Sequence, residues 1–287
     1  MVDQAQRLRE MVDGTRPITK RPRVIAITSG KGGVGKTCVA VNLGITLSSL
    51  GQKVLLVDAD LGLANVDVML GLIPRFNLGS ILFEGKPAHE VITDGPQGLK
   101  ILAGASGLDK LANLSDTYLE HCMKHLNDIE HTADIMLIDT GAGISKQVLK
   151  FVLAANEVII VTTPEPPAIT DAYGIIKVVA SSEPQTPIRV IINRVQSLDE
   201  GELVLKRLST VAERFLGIKL LKLGFIPDDA IVVKGVKEQS PFVINNPQAP
   251  TALYLQQIAK NLLNYETNFQ PLTGSKSFFE RFLKYLR

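Results

Sequence analysis

The chain has 287 residues, 45% hydrophobic and 21% charged, with a formal net charge of +2. This composition suits one large folded core and excludes both an acidic tail and a dedicated nucleic-acid binder acting by bulk charge. Cys38 and Cys122 lack metal or disulfide spacing, no apolar run is long enough to span a bilayer and no signal peptide is visible, so a reduced, cytosolic setting is expected.

Met1 to Val12 reads as a short helix, because Val2, Ala5, Leu8 and Val12 recur at helical spacing. Asp13 to Pro22 carries Gly14, Pro17 and Pro22, a linker pattern that places this helix outside the core. From Val24 a β-branched apolar run predicts a buried parallel strand, followed by a glycine-rich turn and a helix. Gly30 through Thr37 fits G-x-x-x-x-G-K-[ST], the phosphate-binding loop. Gly30, Gly32, Gly33 and Gly35, with Val34 between them, let backbone N–H groups converge on an anion, and the following helix adds the positive end of its dipole. Lys36 is expected to reach the β- and γ-phosphates, and the Thr37 hydroxyl to bind Mg²⁺. Cys38, directly behind the loop, is counted with the nucleotide-binding residues, its thiol packing the helix.

The helix from Cys38 to Leu50 closes on Gly51. A strand over Lys53 to Val57 delivers Asp58 and Asp60 to its C-terminal end, where open α/β sheets bind ligands. Asn77 to Phe83 and Pro87 to Ile92 read as short helices, Lys100 to Leu102 as a strand and Asp116 to Ile129 as a helix. His121 and His125 stand at i and i+4, a spacing able to hold a metal, but with no third ligand a solvated helix face is the expectation. Ile135 to Asp139 is an apolar strand ending in an acid, so Asp139 is expected to hold Mg²⁺ through water. A strand over Glu157 to Thr163 leads to Glu165 and a helix from about Thr170. Strands over Ile188 to Ile192 and Leu220 to Ile226 end in Asn193-Arg194 and Pro227-Asp228-Asp229. Thr251 to Tyr265 reads as the last core helix, and Ser277 to Glu280 as the capping box of a terminal one. The alternation predicts an α/β fold: a mostly parallel, doubly wound sheet with helices on both faces.

Lys31 completes the segment K-G-G-V-G-K-T, and with this second lysine the chain resembles the MinD/ParA ATPases with a deviant Walker A loop. The resemblance implies ATP/ADP and Mg²⁺ as cofactors, ATP hydrolysis, and an ATP-dependent homodimer in which Lys31 reaches the partner's nucleotide. It further implies that Asp60 positions the attacking water, that Asp58 lies in the Mg²⁺ shell, and that Thr140 to Gly143 forms a γ-phosphate-sensing switch. Asn193, Arg194, Pro227 and Asp228 match the segments that embrace adenine, and Glu165 a position that contacts nucleotide or partner subunit.

Both ends narrow the resemblance to the FlhG branch of MinD-like flagellar-number regulators. Asp3, Gln4, Ala5, Leu8 and Arg9 are similar to the D-Q-A-x-x-L-R element of that branch, which stimulates the SRP-type GTPase FlhF. The terminal helix sets Phe278, Phe279, Phe282, Leu283 and Leu286 against Arg281 and Lys284, resembling a membrane-targeting helix for an anionic surface. The organisation expected is an activating helix and linker over 1–22, an ATPase domain over 23–268, and a linker with a membrane helix over 269–287. Such a protein would be cytoplasmic, peripheral on the inner membrane face when ATP-bound, with flagellar motor-switch proteins or a flagellar transcription regulator as further partners. The rivals are a cell-division MinD-type ATPase, a ParA-type DNA-partitioning ATPase and an iron–sulfur carrier. Near-neutral charge argues against DNA, so no specific nucleic acid is expected, and isolated cysteines argue against a cluster.

Overall fold

The computed structural model describes residues 21–60, 65–104, 125–264 and 277–286. The N-terminal helix with Asp3, Gln4, Ala5, Leu8 and Arg9, the Leu61 to Ala64 part of the acidic loop, His121 and Cys122 lie outside these residues. Eight strands, β1 (Arg23–Ser29), β2 (Val54–Ala59), β3 (Thr93–Asp94), β4 (Lys100–Leu102), β5 (Ile135–Ala142), β6 (Glu157–Thr162), β7 (Ile188–Val195) and β8 (Leu221–Pro227), form one sheet in the order β3-β4-β2-β5-β1-β6-β7-β8. Every pair is parallel except β3–β4.

Alternate residues of β1 enter opposite cores: Val24 and Ala26 pack on one face, Ile25 and Ile27 on the other. A strand buried on both faces needs apolar residues at every position, which is why these strands read as continuous β-branched runs. Helix α1 (Lys36–Ser49) covers one face; the small α2 (Val66–Leu70) belongs to the same core, whereas α3 (Leu78–Glu84) and α4 (Ala88–Val91) belong to the other. The second face is covered mainly by α5 (Lys146–Ala154), α6 (Pro166–Ser182) and α7 (Leu198–Leu216). The chain then returns to the first face through α8 (Ala230–Lys237), α9 (Phe242–Asn245) and α10 (Pro250–Asn264).

Several boundaries differ from the sequence expectation. Helix α6 begins at Pro166 rather than near Thr170, because prolines at the first two helical positions lose no hydrogen bond. Strand β5 continues past Asp139, with Thr140 opposite Ala59 and Ala142 opposite Ser29, so the first residues of the 140–143 loop are tied into the sheet. Helices α5, α7 and α8 have no counterpart in the sequence reading. Each is capped by a polar residue, Ser145, Ser197 and Asp229, whose side chain accepts a backbone N–H from the first turn.

At the N-terminal edge of the sheet, Glu157 is completely buried between two arginines. Its Oε2 accepts from Arg23 Nη2 at 2.9 Å and Arg189 Nε at 2.7 Å, and Arg23 Nη1 reaches the Leu262 carbonyl at 2.8 Å. Burial works to raise the Glu157 pKa, but the hydrogen bonds and charges of Arg23 and Arg189 outweigh it and hold the carboxyl below its ordinary value.

The terminal helix α11 (Phe278–Leu286) carries the expected capping box: Glu280 N donates to Ser277 Oγ at 3.1 Å and Ser277 N to Glu280 Oε2 at 2.8 Å. Among the described side chains its apolar side faces the protein, and the side chain of Leu286 lies outside those described. Phe278, Phe279 and Phe282 are buried against the core, and the ring of Phe282 lies 4.4 Å from that of Phe151 on α5. Leu283 packs partly buried beside them, Lys284 is exposed and Arg281 half-buried. Phe279 N donates to the buried Glu130 carboxylate at 3.1 Å, and Tyr285 donates its hydroxyl to Glu183. The expectation of a helix set apart for lipid is thus modified: an amphipathic pattern specifies an apolar partner, and here the partner is the protein's own core.

Candidate functional site

The loop between β1 and α1 is shaped by its glycines. A Cβ on Gly30 would lie 2.1 Å from the Asp171 carbonyl carbon of α6, so only glycine lets the helix backbone pass. Gly33 and Gly35 have φ of 80° and 90°, in the left-handed region. A Cβ on Gly32 or Gly33 would meet nothing within 4 Å, so this part of the loop faces open space. No side chain caps the start of α1, whose N-cap is Gly35, leaving its first N–H groups to a ligand.

Behind the loop, Lys36 Nζ lies 2.8 Å from Asp139 Oδ1 and 3.4 Å from Thr37 Oγ1, with Lys36 and Asp139 both buried. The other Asp139 oxygen, Oδ2, is buried and accepts no hydrogen bond. Burial pushes the Asp139 carboxyl above its usual range, against the opposing charge of Lys36. Asp58 lies beside it in the sheet and is pushed up to about 6, first by burial and then by the charge of Asp139. Both Asp58 oxygens are engaged: Oδ1 accepts from Asp60 N at 3.0 Å, and Oδ2 from Asn65 N at 3.0 Å and Val66 N at 3.2 Å. Asp58 therefore holds both ends of the acidic loop. Asp60, half-buried, faces the second loop; a Cβ on Gly141 would lie 3.5 Å from its Oδ1. Gly143 N donates to Ser29 O at 2.8 Å, joining that loop to the root of the phosphate loop.

One cavity of about 670 Å³ runs from the loop to the ends of β7 and β8. Lys31, Gly32, Gly33, Val34, Gly35, Lys36, Thr37, Cys38, Asp60, Asn193, Arg194, Pro227 and Asp228 all line it. Gly30, Asp58 and Asp139 do not line it. Lys31 is exposed, and so is Glu165, which stands at the N-terminal boundary of α6, outside the cavity lining, without a side-chain capping bond. Hydrogen bonding to Thr163 holds the Glu165 carboxyl below the usual range, with smaller contributions from the charges of Arg194 and Lys31. Burial pushes the Cys38 thiol up to about 11, so it stays protonated and packs.

The sequence reading missed the apolar wall that α8 supplies, Val232, Val233 and Val236, together with Met69 and Phe242. Its signal was present: Asp229 caps α8 through Ile231 N at 3.0 Å and receives Thr251 Oγ1 at 2.8 Å.

Among the described residues no group of three His, Cys, Asp or Glu can hold a metal alone. That donor set fits Mg²⁺, which binds through one or two protein oxygens and keeps phosphates and waters as its remaining ligands. The orphaned Asp139 Oδ2, the adjoining Thr37 hydroxyl, the buried Lys36 amine and the open N–H loop together suit a magnesium nucleotide. No helix among the described residues is long and apolar enough to cross a membrane.

Comparison with known proteins agrees with this geometry. Residues 25–242 match the CobQ/CobB/MinD/ParA nucleotide binding domain. The chain is 38% identical over 263 residues to antiactivator FleN of Pseudomonas aeruginosa, covering 92% of this chain and 94% of that one. It is 36% identical to the flagellum site-determining protein YlxH of Helicobacter pylori, with all of both chains covered. Among solved structures, the septum site-determining protein MinD of Pyrococcus horikoshii, complexed with Mg-ADP, superposes with a TM-score of 0.66 at 27% identity, covering 84% of this chain and 96% of that one. With its phosphate loop, its parallel sheet and these relatives, the chain belongs to the MinD/ParA family of nucleotide-hydrolysing P-loop ATPases.

Proposed function

We propose that this ATPase is a membrane-cycling switch that sets flagellar number and placement. The observation that carries this reading is the 36% identity, over the full length of both chains, to a protein named for determining the flagellum site. In the proposed cycle the loop N–H groups and Lys36 hold the nucleotide phosphates, Thr37 and Asp139 hold Mg²⁺, and the walls at Asn193, Arg194, Pro227 and Asp228 receive the base. Magnesium ATP supplies the bond to be broken and a bridging charge. Asp60 orients the water that attacks the γ-phosphorus, and Asp58 keeps the acidic loop in place for it. Lys31, exposed at the cavity mouth, is available to a second copy, and the ATP-bound chain is a homodimer.

The N-terminal segment with Gln4 stimulates an FlhF-type GTPase in this reading, and α11 leaves its bed to bind anionic membrane in the ATP state. Motor-switch proteins or a flagellar transcription regulator are the further partners. The test is genetic: in a bacterium lacking its own copy, the wild-type chain should restore normal flagellar number by electron microscopy, and Lys36→Gln should not. Restoration by Lys36→Gln would remove nucleotide from the function.

A further inference from the structure

Ser29, the last residue of β1, makes two contacts that point to different parts of the site. Its Oγ donates to the carbonyl of Lys31 at 3.0 Å, and its own carbonyl accepts from Gly143 N at 2.8 Å. Ser29 is 1% exposed, so at the serine little water competes for either bond. One residue thus stands between the exposed lysine of the phosphate loop and the 140–143 loop.

The strands are irregular at this point. Ile27 lies opposite Asp139 but Ser29 lies opposite Ala142, so β5 takes three steps where β1 takes two. Such an extra residue re-aims the chain at the end of a strand. Gly143 then has φ of 88°, in the left-handed region, with its N–H turned back to Ser29. That N–H is committed: a γ-phosphate can receive it only if Ser29 gives it up. The far end of the phosphate loop has its own supports. Val34 O accepts from Asn193 Nδ2 at 2.7 Å, and the loop runs directly into α1 at Lys36. Ser29 Oγ acts at the near end, on the Lys31 peptide.

We propose that Ser29 is a positioning residue that relays the state of the 140–143 loop to Lys31. Its carbonyl holds Gly143, its hydroxyl holds the Lys31 peptide, and movement of one shifts the other. This rests on the reading above, in which Lys31 serves the nucleotide of a second copy. ADP, which lacks the γ-phosphate, does not engage the relay; ATP does.

A double-mutant cycle separates a relay from a merely structural part. Wild type, Ser29→Ala, Lys31→Ala and the double variant are compared as full chains. The measurements are Mg²⁺–ADP affinity by calorimetry, ATP-dependent dimerisation by light scattering and phosphate release at saturating Mg²⁺–ATP, with melting curves alongside. Ser29→Ala should bind ADP within about twofold of wild type, dimerise more weakly with ATP and release phosphate about five- to tenfold more slowly, the loss expected for one hydrogen bond. In the Lys31→Ala background it should lower phosphate release no further, because a residue that acts through Lys31 has nothing left to position. If Ser29→Ala fails to fold, Ser29→Cys, of similar size and only a weak donor, carries the same cycle. Full additivity of the two substitutions, or wild-type turnover in a folded Ser29→Ala, overturns the relay and leaves the role of Lys31 in place. A Lys31→Ala chain that dimerises and turns over as wild type overturns that role, and the relay with it.

Discussion

The Lys36 ammonium and the Asp139 carboxylate form a buried ion pair, 2.8 Å apart, at the place where the phosphate loop meets the strand that follows it in the sheet. The lysine that the motif assigns to phosphate is thereby neutralised by the acid assigned to magnesium. Neither charge is left isolated in a low-dielectric interior.

Replacing one partner should therefore have two separable effects. Lys36→Gln should abolish nucleotide binding and also destabilise the protein by about 3 kcal/mol, because Asp139 is left buried without its counter-charge. Lys36→Gln/Asp139→Asn should recover much of the stability and none of the binding. Urea denaturation together with ATP titration checks both, and a double variant no more stable than the single one would mean that the pair is not the source of the loss.

The buried Glu157 predicts a pH dependence with a definite sign. Its pKa in the folded protein is depressed, so its contribution is fully present above the unfolded value of about 4.5 and is lost as pH falls through the folded value. Glu157→Gln should cost about 3–5 kcal/mol at pH 7, since it leaves Arg23 and Arg189 buried without a carboxylate. The gap from wild type should narrow as pH drops below 4.5, where the unfolded chain takes up a proton that the folded carboxylate still excludes, and close as pH falls through the folded value. Denaturant midpoints measured from pH 7 to pH 3 test this, and a constant gap would contradict it.

Lys31 and Asp60 should separate assembly from turnover. Lys31→Ala should leave nucleotide binding by the monomer largely intact while weakening the ATP-dependent dimer and hydrolysis. Asp60→Ala should bind ATP and accumulate as a dimer, with phosphate release reduced by about 100-fold, because a group that orients water acts on the transition state rather than on ground-state binding. Light scattering and phosphate release on both variants decide the matter; a Lys31→Ala chain that dimerises and turns over normally would exclude its role across the interface.

The contact between Phe151 and Phe282 places the bed of the terminal helix on α5, the helix that follows the 140–143 loop. Phe151→Ala should loosen the bed by a few kcal/mol and leave the apolar side of α11 intact, so it should bind anionic vesicles even with ADP. Phe282→Glu should undock the helix too, but its charge on the apolar face should prevent vesicle binding in any nucleotide state. Flotation of the two variants separates a helix that packs from one that both packs and inserts.

The strands, the phosphate loop and the order of the strand-end motifs were legible in the sequence because each is written locally, in β-branched runs, glycine spacing and acids at strand ends. Helix α5 was not: Ser145 is a modest cap, and Val148, Phe151 and Val152 make too short a stripe to stand out. The fate of α11 was not legible either, since the same amphipathic pattern serves lipid and protein and only tertiary packing decides. Asp58 read as a metal-shell residue, yet its oxygens hold the backbone at 60, 65 and 66, contacts that no spacing rule announces. The bond from Asn193 to Val34 spans 159 residues and belongs to the same class.

The most direct test of the switch is flotation of the wild-type chain on vesicles rich in anionic lipid, with ADP, with ATP, and with ATP after vesicle charge is removed. A single short helix binds lipid only marginally, whereas a dimer presents two copies and gains avidity. The ADP form should stay in solution with α11 on its bed, ATP should carry the protein to the vesicles, and neutral lipid should reduce binding because Arg281 and Lys284 lose their counter-charge. Equal flotation with ADP and ATP would contradict it, and would leave α11 a permanent part of the core.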